Sequence, residues 1–376
     1  MPAPGFDVFR FAHDHYDEVA WMCQNTNHLV PPGIVQPAVE AALRGRRYEM
    51  YPYAPGDPRL RQLVLEDLGL PADSSCLITA GGTESLYMLA RALLRPGDEV
   101  LASDPSYLII HKFIELAGAR PIPIDIYAPP YRLDANRLLE ARTSKTKMIL
   151  LIDPLNPLGS GYPRSEVRAI AEIAHDHHLL LLNDVTYRDF ADAPTLATEF
   201  APEETLTVWS VSKNCGLAGL RLGGLVGPRS ILSEVGRYNT NDLGVNVFAQ
   251  AAAVAALATK KTWIESVRRT TRANQERIHQ ALGPIEGVDL PVFPSQANMF
   301  AVDIGATGVT PDALQYELLT RHHVFVRSGS YLSPRHGGRF VRVSFSNPTN
   351  DIDRFVGAFA PALHAVRAPT VSVPAP

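Results

Sequence analysis

The sequence predicts an α/β protein in which a large, doubly wound and mostly parallel sheet is joined to a smaller α+β unit. Three observations predict this fold. Short apolar runs alternate with helical stretches from about residue 75 to residue 223, the runs are continuous, and the pattern changes after Gly223. Such continuous apolar runs are typical of strands whose two faces are both covered by helices. At 376 residues, the chain is long enough for a large domain and a smaller one.

The alternating region predicts five strands and three helices. The strands are expected at 76–79, 99–102, 147–152, 179–182 and 206–209. The helices are expected at 83–94, 107–117 and 164–177. Pro96-Gly97-Asp98 breaks the chain between a helix and a strand, and the run 163–166 is typical of a helix start.

The pattern after Gly223 indicates long helices followed by a smaller α+β unit. Residues 247–258 are apolar and rich in alanine, and residues 262–282 have the spacing of an amphipathic helix. Gly283-Pro284 predicts a boundary. Beyond it, strands are expected at 298–303, 323–327 and 339–344, and helices at 310–321 and 350–363.

Composition excludes several classes of protein. The formal net charge is -4, so neither a nucleic acid nor an anionic membrane surface is expected as a partner. Cys23, Cys76 and Cys215 are too few and too widely spaced for a disulfide framework or a zinc site, and no metal is expected. No run is long enough to span a membrane, and the N-terminus lacks the apolar core of a signal peptide. These features predict a cytoplasmic protein.

Polar residues follow several predicted strands, and ligands of parallel sheets bind at the carboxyl ends of the strands. Gly82 and Thr83 open the helix after the first strand, where N–H groups can hold a phosphate, although an ordinary tight turn has the same pattern. Asn156 follows a later strand and offers an amide. Asp184 and then Tyr187 follow the next strand, and the carboxylate can cap a helix or pair with a cationic ring nitrogen.

The most specific stretch is 209–223. Lys213 follows two serines, Ser210 and Ser212, and precedes Arg221. A lysine in a tight, partly dehydrated site has a lowered pKa, and its neutral amine can form a Schiff base. The serine hydroxyls and the arginine suit a phosphate nearby. A phosphate cradle, an amide, a carboxylate and an amine are together the groups that pyridoxal 5'-phosphate requires.

These motifs resemble those of the class I and II aminotransferases among the fold-type I pyridoxal-phosphate enzymes. The layout is similar to that of aspartate and histidinol-phosphate aminotransferases, over nearly the whole chain, and the S-x-S-K-x7-R-x-G pattern in 210–223 is its most specific part. The family usually has N-P-x-N-P-T-G where residues 153–159 read D-P-L-N-P-L-G, and D-E-A-Y where residues 184–187 read D-V-T-Y. Leu158 and Val185 are therefore departures, whereas the residues that touch the cofactor in the family are kept.

The resemblance implies a role for each of these residues. Lys213 would form the Schiff base with the cofactor and then move a proton, and Asp184 would keep the ring nitrogen cationic. Tyr187 and Asn156 would hydrogen-bond the ring hydroxyl, and Tyr107 would stack on the ring. The cofactor phosphate would be held by Gly82, Thr83, Ser210, Ser212 and Arg221.

Three further matches concern the substrate and a second subunit. Segment 51–61 is similar to the family's Y-x4-G-x3-L-R, in which the tyrosine, here Tyr51, reaches the cofactor phosphate of the neighbouring subunit. The resemblance therefore implies a homodimer with its active site at the interface. Arg342 would bind the α-carboxylate of the substrate, and Asn27 would contact the substrate in the cleft. The sequence does not identify a second arginine that would bind an acidic side chain of the substrate.

The resemblance also implies how the chain divides. An N-terminal arm and part of the small domain are expected in 1–47, and the large cofactor-binding domain in 48–282. The small C-terminal α+β domain is expected in 283–366, and a disordered tail in 367–376. The small domain would thus be built from both ends of the chain.

The predicted activity is the ping-pong transfer of an amino group between an L-amino acid and a 2-oxo acid, with pyridoxal 5'-phosphate as cofactor. Other chemistry on the same scaffold is the main alternative, namely that of a lyase, a cyclase such as capreomycidine synthase, or an amino-acid oxidase. A regulatory module or a non-catalytic scaffold is a second alternative, which the intact cofactor motifs disfavour.

Overall fold

The computed structural model describes residues 5–367. Within that range, strands β1 to β12 span, in chain order, Ala20–Trp21, Ser75–Thr79, Glu99–Asp104, Arg120–Asp125, Thr146–Ile152, Leu180–Asp184, Thr205–Ser210, Gly223–Gly227, Met299–Asp303, Val324–Phe325, Arg327–Ser328 and Phe340–Ser344. Helices α1 to α11 span Val8–Asp14, Gln36–Arg44, Pro58–Leu68, Gly82–Leu93, Ile109–Leu116, Ala135–Ala141, Arg164–Asp176, Arg229–Gly236, Val247–Leu282, Pro311–His322 and Thr349–Arg367. The elements predicted for 75–223 are present with small shifts of their bounds.

Seven strands form the large sheet, in the order β2-β8-β7-β6-β5-β3-β4. Neighbouring strands run parallel except at β8, which is antiparallel to both β2 and β7. The predicted mostly parallel sheet is therefore confirmed. β6 and β7 lie on one side of β5, and β3 and β4 lie on the other, so the strand order reverses beside β5. Ligands of open parallel sheets bind at such a switch point.

Helices cover both faces of this sheet. One buried apolar cluster joins the sheet to α4, α5, α6 and α7, and it includes Leu89 and Val208. A second cluster joins the sheet to α3 and α9, and it includes Leu60 and Trp209. Val208 and Trp209 are successive residues of β7, and successive side chains of a strand point to opposite faces. The two clusters therefore lie on opposite faces, which confirms the doubly wound arrangement.

Two strands of the large sheet and the length of α9 are among the features that were not predicted. β4 contains Pro121 and Pro123, which an edge strand tolerates because proline lacks only an N–H that the edge leaves unpaired. β8 is rich in glycine, and a Cβ atom at Gly223 would lie 2.5 Å from the backbone nitrogen of Gly82. α9 is one continuous helix of 36 residues, because the link 259–261 between the two predicted segments contains no helix-breaking residue.

The smaller unit contains the antiparallel sheet β11-β12-β9. β1, near the N-terminus, pairs in parallel with β10, and Ala20 lies opposite Val324. A buried apolar cluster of this unit brings Met22 together with Phe300 and Phe355. Both ends of the chain therefore contribute to the smaller α+β unit, as predicted.

The limits given above for the domains stay predictions. Of the tail expected at 367–376, Arg367 is the last residue of α11, and the other residues lie outside the described range. Between residues 5 and 367, no helix is both long and apolar enough to cross a bilayer. The cytoplasmic location stays a prediction.

Candidate active site

A cavity of about 580 Å³ opens at the carboxyl ends of the central strands. Ile152, Asp184 and Ser210 are the last residues of β5, β6 and β7, and all three line the cavity. The cavity therefore lies at the switch point of the sheet. Most of the residues predicted from the sequence line it, namely Gly82, Thr83, Tyr107, Asn156, Asp184, Tyr187, Ser210, Ser212, Lys213, Arg221 and Arg342.

The charged groups of the cavity are mostly cationic. Lys213, Arg221, Arg327 and Arg342 line it, whereas Asp184 is the one acidic side chain among the lining residues described. Charges that line a cleft raise the local concentration of ligands of opposite sign. The cavity therefore suits ligands that carry several negative groups.

Lys213 reaches the cavity from the turn that follows β7. Its amine donates a hydrogen bond to the backbone carbonyl of Gln24, with Nζ and the oxygen 2.6 Å apart. Burial, together with the charges of Arg342 and Arg221, lowers the pKa of this amine to about 7. A large fraction of the amine is therefore neutral near neutral pH, and the neutral form is the nucleophile.

The first turn of α4 and Arg221 form a pocket for an anion. α4 begins after Gly81, which has φ +95°, and its first N–H groups have no partner inside the helix. A Cβ atom at position 81 would lie 2.6 Å from Nη2 of Arg221, so a larger residue would push the guanidinium away from the helix start. Within residues 5–367, Arg221 forms no ion pair, and it donates to the carbonyl of Ala218 at 2.9 Å. A free cation beside a helix N-terminus fits a phosphate.

Asp184 and Tyr187 lie at the end of β6 and in the loop after it. A carboxylate oxygen of Asp184 accepts a hydrogen bond from the N–H of Thr186 at 3.0 Å, and among the described residues the group forms no ion pair. Burial raises the pKa of Asp184, and the hydrogen bond from Thr186 and the charge of Lys213 act in the opposite direction. Tyr187 accepts a hydrogen bond from Nδ2 of Asn25 at 3.0 Å, and burial raises the pKa of its phenol. Tyr187 therefore keeps its proton at neutral pH and can donate it.

Arg342 lies on β12 and is 6% exposed. Its Nη1 donates to Oδ1 of Asn156 at 2.8 Å, and its Nη2 donates to the backbone carbonyl of Cys23. Burial lowers the pKa of Arg342 to about 10, so the guanidinium stays charged at neutral pH. This hydrogen bond uses only the oxygen of the Asn156 amide, so the NH₂ group of the same amide remains available to donate to a ligand.

The other predicted contacts adjoin one another. The hydroxyl groups of Thr83 and Tyr107 lie 3.3 Å apart. The N–H of Ser212 donates to the hydroxyl of Ser210 at 3.1 Å. The residues expected to hold a phosphate and the residue expected to stack on a ring are thus part of one cavity wall.

Two predicted residues do not line the cavity. Tyr51 is 78% exposed and lies in a separate surface groove. Asn27 is buried, and its amide already donates to the carbonyl of Asn214 at 2.8 Å. Asn27 therefore anchors the N-terminal segment to the turn that carries the cavity lysine. Asn25, two residues earlier, lines the cavity instead.

Sequence reasoning missed the N-terminal wall of the cavity and one arginine. The wall consists of Phe9 and residues 23–26, in an N-terminal segment from which the sequence predicts only a contact by Asn27. Arg327 ends the strand expected at 323–327, and nothing in that run indicates which side chain faces a ligand. Only the pairing of β11 with β12 brings Arg327 to the cavity.

A buried cluster of charges lies behind the cavity. The amine of Lys260, on α9, lies 2.6 Å from the carboxylates of both Asp67 and Asp189. Arg188 lies 2.6 Å from the second oxygen of Asp67. Asp189 also accepts a hydrogen bond from the side chain of Asn214, which directly follows the cavity lysine. The cluster therefore connects α3 and α9 to the two loops that carry the site.

Replacing Lys260 by methionine should destabilise the protein by about 3–5 kcal/mol, because Asp67 and Asp189 lose the cation that they share inside the protein. Urea unfolding measures this change. Lys261→Met is the matched control, since Lys261 is exposed on the same helix, and it should change the free energy of unfolding by no more than about 0.5 kcal/mol. Equal stabilities of the two variants would contradict the structural role of the buried cluster.

Comparisons with known proteins agree with this geometry. The family model described as aminotransferase class I and II matches residues 18–359. An arginine–pyruvate transaminase of Pseudomonas aeruginosa is 29% identical over 82% of this chain and 80% of its own. An aspartate aminotransferase of Pyrococcus horikoshii is 30% identical over 82% of each chain. The solved N-succinyldiaminopimelate aminotransferase of Mycobacterium tuberculosis has a TM-score of 0.83 at 24% identity, over 96% of each chain, which shows the same fold.

Proposed function

The chain belongs to the class I and II aminotransferases, and on that premise we propose that it moves an amino group between an L-amino acid and a 2-oxo acid by a ping-pong reaction. Enzymes of this family depend on pyridoxal 5'-phosphate. The observation that carries the proposal is the meeting, in one cavity, of the Lys213 amine, the Asp184 carboxylate and the anion pocket at Arg221. An aldehyde, a cationic ring nitrogen and a phosphate are the cofactor groups that these three suit.

When bound, the cofactor supplies an electron sink for the negative charge that develops at the α-carbon of the amino acid. Lys213 would hold the cofactor covalently between turnovers and would then move a proton between the substrate α-carbon and the cofactor. A neutral amine can accept that proton and return it, which is general acid–base catalysis by one group. The hydrogen bond to the Gln24 carbonyl supports this role, because it orients the amine within the cavity.

Asp184 would pair with the ring nitrogen and favour its protonated form. The position of this carboxyl in the cavity wall, without an ion-pair partner among the described residues, supports the assignment, because the group is left available to a cationic ligand. Tyr187 and Asn156 would donate hydrogen bonds to the ring hydroxyl, and Tyr107 would cover a face of the ring. The retained phenol proton of Tyr187 and the free NH₂ group of Asn156 support these two donor roles.

The phosphate would be bound at the start of α4 and by the side chains around it. Helix N-termini favour anions through their unpaired N–H groups and the helix dipole. The close approach of Arg221 to Gly81 supports this site, since it places a cation where the helix dipole is also positive. The proposed phosphate ligands are Gly82, Thr83, Ser210, Ser212 and Arg221.

Arg342→Gln should raise KM for amino acids by about 10- to 100-fold, because Arg342 would bind the α-carboxylate and a hydrogen bond to a charged group contributes about 1.5–3 kcal/mol. Steady-state kinetics measure the change. Arg339→Gln is the control, since the Arg339 side chain is 56% exposed and pairs with Asp303 at 3.0 Å. KM should be nearly unchanged in this control. The same result in Arg342→Gln would place the carboxylate site elsewhere.

The lowered pKa of Lys213 predicts a pH dependence for covalent attachment of the cofactor. Below about pH 7 the amine is protonated and cannot attack the aldehyde, so the attachment rate should rise with pH and level off above that midpoint. Stopped-flow absorbance of the apoenzyme mixed with cofactor measures this rate. The charge of Arg342 helps to lower the pKa, so Arg342→Gln should move the midpoint to higher pH. A wild-type midpoint near the ordinary 10.5 would contradict the assignment.

Mixing the cofactor-loaded enzyme with one amino acid, without an oxo acid, tests the class of reaction. A transaminase stops after the first half-reaction, so one mole of pyridoxamine 5'-phosphate and one mole of the 2-oxo acid should form per mole of active sites. Chromatography measures both products. Continued product formation would indicate a lyase or a cyclase, and consumption of oxygen would indicate an oxidase. Failure to bind the cofactor would favour a regulatory or scaffold role.

The partner inferred for this chain is a second copy of itself. Exposed apolar side chains cluster beside a groove of about 1020 Å³, and such patches mark interfaces. Tyr51 would then reach the phosphate in the partner's cavity, which its exposure on this surface supports. Light scattering should give about twice the chain mass of 41.1 kDa, and an active monomer would contradict a shared site. The side chains concerned are Leu43, Tyr48, Met50, Tyr51 and Tyr53.

A further inference from the structure

Arg327 is the one cavity arginine that the proposed function leaves without a role. It lies on β11, directly opposite Arg342 on the antiparallel strand β12. Side chains opposite each other in such a pair share one face of the sheet, with Cβ atoms about 4.5–5.5 Å apart. Both arginines line the same cavity. Like charges in opposite positions destabilise a sheet, and a bound negative group would relieve this repulsion.

Among the described residues, no acidic side chain compensates Arg327. Within residues 5–367 it forms no ion pair, and the cavity's one acid, Asp184, forms none with it. The guanidinium carbon instead lies 3.9 Å from the centre of the Tyr331 ring and 4.8 Å from the centre of the Phe9 ring. Aromatic rings at these distances hold a guanidinium through cation–π attraction. They supply no acceptor for its N–H groups, which remain available to a ligand.

The other charges of the cavity have partners under the proposed function. Arg221 faces the phosphate pocket, and Arg342 takes the α-carboxylate of the substrate. Asp184 takes the ring nitrogen, and Lys213 carries no positive charge in the neutral form that accepts a proton. Of the described residues that line the cavity, one cation, Arg327, is left without a partner in the proposed reaction.

We propose that Arg327 binds a second acidic group, at the end of the substrate side chain. The enzyme would therefore act on amino acids whose side chains end in a carboxylate or a phosphate, with one anion for each of the two opposed arginines. Either group suits a guanidinium, which donates two parallel N–H bonds to carboxylates and phosphates alike. This inference deepens the proposed function and rests on it.

The surroundings favour two separate anions over one carboxylate held by both arginines. Arg342 is fixed by Asn156 and by a backbone carbonyl, in the part of the cavity that also holds the predicted ring contacts. Arg327 is held by Phe9 of α1 and by Tyr331 of the turn after β11. Neither aromatic residue belongs to the predicted cofactor contacts. Arg327 therefore lies where a substrate side chain, and not the cofactor, would be bound.

The first half-reaction with matched pairs of amino acids tests the proposal. The pairs are L-glutamate with L-glutamine, L-aspartate with L-asparagine, and O-phospho-L-serine with L-serine. In the wild type, the acidic member of at least one pair should have the higher kcat/KM. The pair that shows this preference indicates whether Arg327 binds a carboxylate or a phosphate. In Arg327→Gln, the ratio of kcat/KM for the acidic donor to kcat/KM for the neutral donor should fall by about 10- to 100-fold. The ratio for Arg327→Lys should lie between those of the wild type and Arg327→Gln.

A matched control and a binding measurement accompany these assays. Arg10→Gln should leave the ratio unchanged, because Arg10 lies on α1 next to Phe9 but its side chain is 81% exposed. Calorimetry of the cofactor-loaded enzyme compares glutarate, which has two carboxylates, with pentanoate, which has one. Glutarate should bind at least about tenfold more tightly, and Arg327→Gln should remove the difference.

Two outcomes would overturn the proposal. Equal losses with acidic and neutral donors in Arg327→Gln would show that both arginines hold one carboxylate. A wild type that prefers the neutral member of every pair would show that no side-chain anion is bound. If no amino acid reacts, the proposed function fails, and the comparison of glutarate with pentanoate still decides what Arg327 binds.

Discussion

Replacing Lys213 by alanine should reduce transamination by at least about 10³-fold and should abolish covalent attachment of the cofactor. The change removes the amine that we propose both links to the cofactor and moves the proton, and one positioned acid or base contributes about 10²–10⁴-fold to a rate. A steady-state assay measures the first effect. Reduction with borohydride, followed by mass spectrometry of the peptide that contains residue 213, measures the second.

Lys261→Ala is the control for this variant, because Lys261 is exposed on α9 and lies outside the cavity. It should keep both the activity and the covalent link. Lys213→Ala should still bind the cofactor without a covalent bond, since the anion pocket formed by α4 and Arg221 is unchanged. Transamination at the normal rate by Lys213→Ala would mean that another residue carries the reaction.

Replacing Asp184 by asparagine should lower kcat by about 10²–10³-fold while the fold is kept. Asparagine has nearly the same shape and can still accept the hydrogen bond from Thr186, but it has no charge to keep the ring nitrogen protonated. The loss of one preorganised group that stabilises developing charge has this size of effect in other enzymes. Single-turnover measurement of the first half-reaction gives the rate of the chemical step.

Asp192→Asn is the matched control for Asp184→Asn. The Asp192 side chain is 62% exposed and pairs with Arg272 outside the cavity, so kcat should stay the same. The unfolding temperature of Asp184→Asn should also stay close to that of the wild type, because the buried site keeps its hydrogen bond. An undiminished kcat in Asp184→Asn would remove this residue from the mechanism.

The central strands of the large sheet were predictable because burial on both faces favours apolar side chains at successive positions. β5 and β6 contain such apolar runs, at 148–152 and 180–182. β4 and β8 were missed, since the prolines of one and the glycines of the other are atypical of strands. The positions of the two strands in the sheet explain their sequences. β4 lies at an open edge, and β8 passes close to the start of α4.

The residues that meet at the strand ends were predictable for a different reason. Parallel strands end at the same edge of a sheet, so Asp184 and Lys213 are expected on the same edge, and the pairing of β6 with β7 brings them close together. The irregular N-terminal segment follows no such rule. Asn25 and Asn27 are chemically identical, and the backbone decides between them, because Asn25 has φ 54° while the Asn27 amide is bound to the carbonyl of Asn214.

The sequence by itself determined the α/β fold, the cofactor and the residues proposed to hold it, because these depend on short motifs and on the local pattern of apolar residues. The tertiary structure alone decided that Arg327 lies opposite Arg342 and lines the same cavity. The physical reason is that strand register is a long-range property, and a slip of one residue would turn either side chain to the other face of the sheet. The substrate selection that we propose for the two arginines therefore depends on the packing of β11 on β12.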